Sequence, residues 1–168
     1  MNRLTRTLIL ASLAATGSLG RVNAQTVVQA PTPTVLRTAV GAFDVNTAPD
    51  GAPKNGIARF LLTKRYHGAL DGVGEGWMLG VRNGGGSAGY VAMERVTGAL
   101  DGRRGGFVLQ HSGTMDHGKL SLSVEIVPGS GAGALTGITG AMAIDTGHGS
   151  HSYTLTYSLV QLPKPGRP

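Results

Sequence analysis

Gly98-Ala99-Leu100-Asp101-Gly102 is the stretch on which the fold turns, because the same frame stands at Gly68-Ala69-Leu70-Asp71-Gly72 and again at Gly133-Ala134-Leu135-Thr136-Gly137. A large apolar residue follows each first glycine by nine positions: Trp77, Phe107 and Met142. Three uses of one short glycine-bounded frame describe a structural device, read here as one hairpin used three times. Repeated hairpins argue for an antiparallel β-fold closed into a barrel. On this reading Asp71, Asp101 and Thr136 occupy equivalent turn positions, where short polar side chains hydrogen-bond nearby backbone.

The flanking sequence alternates as strands do. Leu120, Leu122, Val124 and Ile126 fall on one face of 119–127, with Ser121, Ser123 and Glu125 on the other. Residues 151–159 repeat the pattern, with Tyr153, Leu155, Tyr157 and Leu159 on one face, and make the closing strand. Ile57 to His67 sets Phe60, Leu62, Lys64 and Tyr66 against Leu61, Thr63, Arg65 and His67. Shorter or weaker strands are predicted over 36–45, 77–81, 87–97, 106–112 and 141–144, while Arg82 to Ser87 is too glycine-rich to be other than a loop. The chain has 28 glycines, which suits the sharp bends of a small barrel and not a flat sheet. The frames are spaced 30 and then 35 residues apart, too irregularly for a fibre.

The first residues read as an address and not as fold. Arg3 and Arg6 precede the apolar run Leu8 to Ala15, and Val22-Asn23-Ala24 makes a small-residue cleavage site, so 1–24 is predicted to be a signal peptide. The run is too short and too interrupted by Thr16, Gly17, Ser18 and Gly20 for a stable membrane span. Residues 25–35 read as a flexible leader, 36–162 as one β-barrel domain and 163–168 as a flexible tail. The destination is periplasmic or secreted. With Arg3, Arg6 and Arg21 removed, twelve basic residues face nine acidic ones, and a net +3 without a basic run leaves no nucleic-acid footprint. The absence of cysteine removes disulfides, thiolate catalysis and thiolate metal sites, so stability must come from a core.

Few residues could carry chemistry. Glu94 shares its face with Tyr90, Ala92 and Val96, and His111 shares one with Phe107 and Leu109. If those faces line a barrel interior, a carboxylate and an imidazole project inward, where burial raises the acid's pKa and a hydrogen bond orients the histidine. Glu94 and His111 are therefore the candidate catalytic pair, and Trp77, Tyr90, Phe107 and Tyr157 the candidate ligand-binding residues. Glu94→Gln would then spare folding and abolish turnover. Glu125, between serines, belongs to the solvent face. His148 and His151 lack metal-ligand spacing with any partner, and Gly84-Gly85-Gly86 and Gly129 to Gly133 lack the lysine and helix of a phosphate loop, so no metal and no cofactor is expected.

The string Glu94 to Gly113, ERVTGALDGRRGGFVLQHSG, with Val127 to Gly140, VPGSGAGALTGITG, and the closing 151–159, resembles a bacterial family, domain of unknown function 3224. That family is similar in fold to the allene oxide cyclase-like barrels. The resemblance spans 36–162 and implies eight largely antiparallel strands, an interior able to hold a small apolar molecule, and assembly into homo-oligomers. It carries no reaction. No cyclase site matches here residue by residue, and Ala132 stands where the family pattern commonly has threonine. Two readings of different class follow: an exported barrel that binds a small hydrophobic ligand, with cyclisation or isomerisation of a lipid-like substrate as its catalytic form, or a non-catalytic barrel that meets a protein partner.

Overall fold

The computed structural model describes residues 35–159; the predicted signal peptide, nearly all of the leader and the tail lie outside them. Eight strands form the wall: β1 (Leu36–Pro49), β2 (Ala58–Gly68), β3 (Leu70–Arg82), β4 (Ala88–Leu100), β5 (Arg103–Asp116), β6 (Lys119–Ile126), β8 (Ile138–Asp145) and β9 (His151–Leu159). The two-residue β7 (Ala132–Gly133) pairs with the outset of β5. All pairings are antiparallel, the order runs β4-β3-β2-β1-β9-β8-β6-β5, and the β4–β5 ladder closes the ring. This is the small antiparallel barrel the alternating pattern predicts. Its seams are unequal. β3 and β4 pair along their whole lengths, whereas Glu125–Ala141 is the one match between β6 and β8 among the described residues.

Alternation decides what faces inward. Even-numbered residues of β2, β3 and β4 point into the barrel, as do odd-numbered residues of β5 and β9. Leu70, Leu100 and Leu135, the central residues of the three frames, are all buried and plug one end. Leu70 pairs directly with Leu100, the Asp101 amide donates to the Ala69 carbonyl at 2.8 Å, and the Ala134 amide donates to Arg104 at 2.9 Å. The core of Tyr66, Val96, Phe107, Leu109, Leu155 and Tyr157 stacks above this plug.

The frames are not three equivalent hairpins. Only in the second do Asp101 (φ 47°) and Gly102 (φ 76°) form a two-residue turn, the left-handed pair that matches strand twist. In the first frame the chain reverses at Gly68 and Ala69, and Asp71 lies inside β3, where Arg65 holds its carboxylate. The third is a wider loop in which Thr136 Oγ1 donates to the Gly133 carbonyl. Turn chemistry thus describes Asp101 and Thr136 but not Asp71. The expected equivalence of Trp77, Phe107 and Met142 fails with it. A two-residue turn separates Leu100 from Phe107 and resets which face is inward; no turn separates Leu70 from Trp77. Seven residues along one strand end on the opposite face. Trp77 is 58% exposed, while Phe107 and Met142 are buried.

Candidate functional site

Two features share the barrel interior. The first is a buried polar quartet. Glu94 is completely buried; its Oε2 accepts from Lys64 Nζ at 2.8 Å and from His111 Nε2 at 3.0 Å, and its Oε1 accepts from Tyr66 Oη at 2.7 Å. Lys64 also donates to Tyr66 Oη at 3.3 Å and rests 4.7 Å from the centre of the Phe43 ring. Lys64 and Tyr66 come from β2, Glu94 from β4 and His111 from β5. Glu94 therefore reaches over β3, which turns Gly72, Gly74 and Gly76 inward. A side chain at Gly74 would overlap Glu94 Oε1, so that glycine is the space the carboxylate occupies.

Burial pushes the Glu94 carboxyl up, but the His111 hydrogen bond, the Lys64 charge and the bonds from Lys64 and Tyr66 together outweigh it and hold Glu94 below its ordinary 4.5. The phenol of Tyr66 is driven far up, first by burial and then by the adjacent carboxylate. Glu94 is consequently an ionised acceptor with both oxygens engaged, and Tyr66 a protonated donor. Burial thus does not win at Glu94 as the sequence alone suggests, because three donors converge on it. A saturated carboxylate of depressed pKa carries no proton to give and takes one reluctantly.

The second feature is a cavity of about 510 Å³ at the end opposite the leucine plug. Phe60, Met78, Tyr90, Met115 and Leu120 line it, and Arg82 is the one charged residue of the wall. On β4 the buried Ala92 separates Tyr90 from Glu94, and on β2 the buried Leu62 separates Phe60 from Lys64. On these two strands the quartet lies one inward-facing residue below the cavity, whereas on β5 His111 is the next inward-facing residue after Gly113 of the cavity wall.

Of the residues chosen from sequence, Glu94 and His111 meet in the quartet and Tyr90 lines the cavity. Phe107 and Tyr157 lie in the core below and not on the cavity wall. The Tyr157 hydroxyl donates to Asp101 Oδ2 at 2.5 Å, and burial followed by that carboxylate pushes it up to about 12. Trp77 is on the outer surface, which corrects its assignment to the pocket. Lys64 and Tyr66 escaped sequence reasoning. The signal was present: a lysine on the same strand face as Phe60, Leu62 and Tyr66 is a charge on a core face, which needs a partner.

A model of a family described as "Protein of unknown function (DUF3224)" matches residues 39–157. No curated protein matches the chain. A crystal structure of a DUF3224-family protein of unknown function from Shewanella oneidensis MR-1 is 40% identical, covering 79% of this chain and all of that one with a TM-score of 0.70. Its overlap with the barrel and the family match over 39–157 together place this chain in the DUF3224 family.

Proposed function

We propose that this protein is an exported barrel that binds a small hydrophobic molecule through its open end. The observation that carries the reading is the cavity: about 510 Å³, walled mainly by apolar side chains, open at one end and backed by a plugged core. That size suits a small organic ligand, and a mostly apolar wall with few polar groups is the usual composition of such a site. The signal-like N-terminus supplies the exported half of the proposal, and the sequence resemblance, which implies an interior able to hold a small apolar molecule, supports the other half.

Cyclisation or isomerisation of a lipid-like guest is a second reading, favoured by the imidazole of His111 held on Glu94 just below the cavity floor. It requires the Tyr90 ring to yield, because that ring packs on Gly113, the cavity-wall residue next above His111 on the inner face of β5, while Leu62 and Ala92 screen Lys64 and Glu94. Native mass spectrometry of the purified chain tests the binding reading. A reproducible bound small-molecule mass is expected, and Met78→Arg, which drives a charged side chain into the cavity, should remove it without altering the melt. Ligand-free protein from several expression hosts, with no uptake of an apolar fluorescent dye, would reject it.

A further inference from the structure

The outer surface of β2, β3 and β4 carries more apolar area than a solvated barrel wall needs. Leu61, Trp77 and Met93 lie side by side in register across the three strands, and Leu79 and Val91 adjoin them in the next row. All five point outward and are exposed. Such a patch spans on the order of several hundred Å², at the upper limit of what a monomer ordinarily leaves in water.

The face also has relief. Beside Trp77 lies a hollow of about 370 Å³, bounded by Ile57, Leu79, Val81 and Val91. Gly89, at an outward-facing position of β4, also lines it, and its lack of a side chain lets the outer surface sink at that point. One face therefore bears both a protruding indole and a depression of apolar lining large enough to accept one. Its rim mixes signs: Arg59 stands at one side, and the cross-strand neighbours Glu75 and Arg95 at the other.

We infer that this face is a two-fold self-association surface, in which Trp77 of each copy seats in the hollow of the other. A knob and its socket on one surface are the requirement of an isologous interface, where residue i meets j and j meets i. A rim of both signs can pair with itself, which a single-sign rim cannot. A standard interface takes roughly 800 Å² from each partner, so the contact would extend from the apolar patch onto that rim. An exposed aromatic at the centre of an apolar patch is the residue type that dominates such contacts.

Trp77 is the only tryptophan of the chain, so its emission reports its own burial. Sedimentation velocity and tryptophan emission are measured together over a dilution series of the purified chain. A dimer is expected, with blue-shifted emission that moves red as the dimer dissociates. Trp77→Ala should raise the dimer dissociation constant at least about 30-fold, the size of a hot-spot loss. Val91→Glu should give a monomer that keeps its far-UV circular dichroism and retains red-shifted emission. Because both positions are exposed, each variant checks the other against a folding defect. A wild-type monomer at every concentration would overturn the inference, as would a dimer indifferent to both substitutions. So would an emission shift that appears only on adding lipid vesicles, which would assign the face to a membrane surface.

Discussion

Replacing Glu94 by glutamine keeps the side chain's size and removes its charge, and the structure predicts that the fold will feel it. The Lys64 side chain is 5% exposed and its ammonium lies 2.8 Å from the carboxylate. Glu94→Gln leaves that ammonium among Phe43, Tyr66 and an uncharged amide. Removing one partner of a buried ion pair costs about 3–5 kcal/mol, against a total stability of about 5–15 kcal/mol for a domain. With a urea m-value of about 2 kcal/mol/M, the midpoint should fall by roughly 2 M. The double variant Lys64→Met, Glu94→Gln should recover most of the loss, because replacing a whole buried pair is often neutral. The glutamine can then accept from Tyr66 and donate to His111 in its other tautomer. The assay is a set of urea melts of wild type, both single variants and the double, read as a double-mutant cycle. A Glu94→Gln unfolding free energy within about 0.5 kcal/mol of wild type would refute the reasoning, because it would mean that Lys64 finds another partner or water.

Acid should act on the same contact. Glu94 has its folded pKa held down, so the stability it contributes is complete above its ordinary 4.5 and is lost as the pH falls through the depressed folded value. Urea midpoints from about pH 7 to pH 3 should therefore fall more steeply for wild type than for Glu94→Gln. Two glycines of the second frame separate conformation from space. Gly102 has φ 76° with open surroundings, so Gly102→Ala should cost about 1 kcal/mol through the backbone alone. At Gly98 a Cβ would overlap the Asp71 carbonyl and press on Gly72 Cα, so Gly98→Ala should lie at the upper end of the about 1–3 kcal/mol range of overpacking. Equal melts for the two would contradict this assignment.

The legible parts of this chain are those governed by period two. Strict alternation in β6 and β9 announced the inward faces, and Glu94 and His111 could be placed on core faces because their apolar neighbours sit two residues away. Trp77 was misread for a reason of the same kind: parity is preserved along a strand and reset by a turn, and the turn in the first frame precedes Leu70 instead of following it. The meeting of Glu94 with Lys64 and Tyr66 could not be read locally, because β3 intervenes between β2 and β4. It depends on the inward glycines of β3, whose role appears only once strand order is known. The depressed pKa of Glu94 was hidden with it, since one acid on an apolar face suggests burial alone and the donors come from two other strands.

Strand order also relates the three features to one another. In the ring, β3 lies opposite β8. The quartet ties β2, β4 and β5 together across β3, so the wall that bears the outer apolar face is the one braced from within. The thinly paired seam lies on the far side, between β6 and β8. Leu120 on β6 lines the cavity, so that wall includes a strand of the thinly paired seam. Opening of local structure draws on the regions with fewest ordered contacts, and a guest entering the cavity would therefore displace β6 before it displaced β3. A second copy held on the outside of β2–β4 would leave the yielding strand free but press on the rim of the open end, because the hollow shares Val81, Gly89, Tyr90 and Thr114 with the cavity wall. Ligand uptake and self-association then meet along one rim of the barrel, with the charged quartet as the rigid element beneath both.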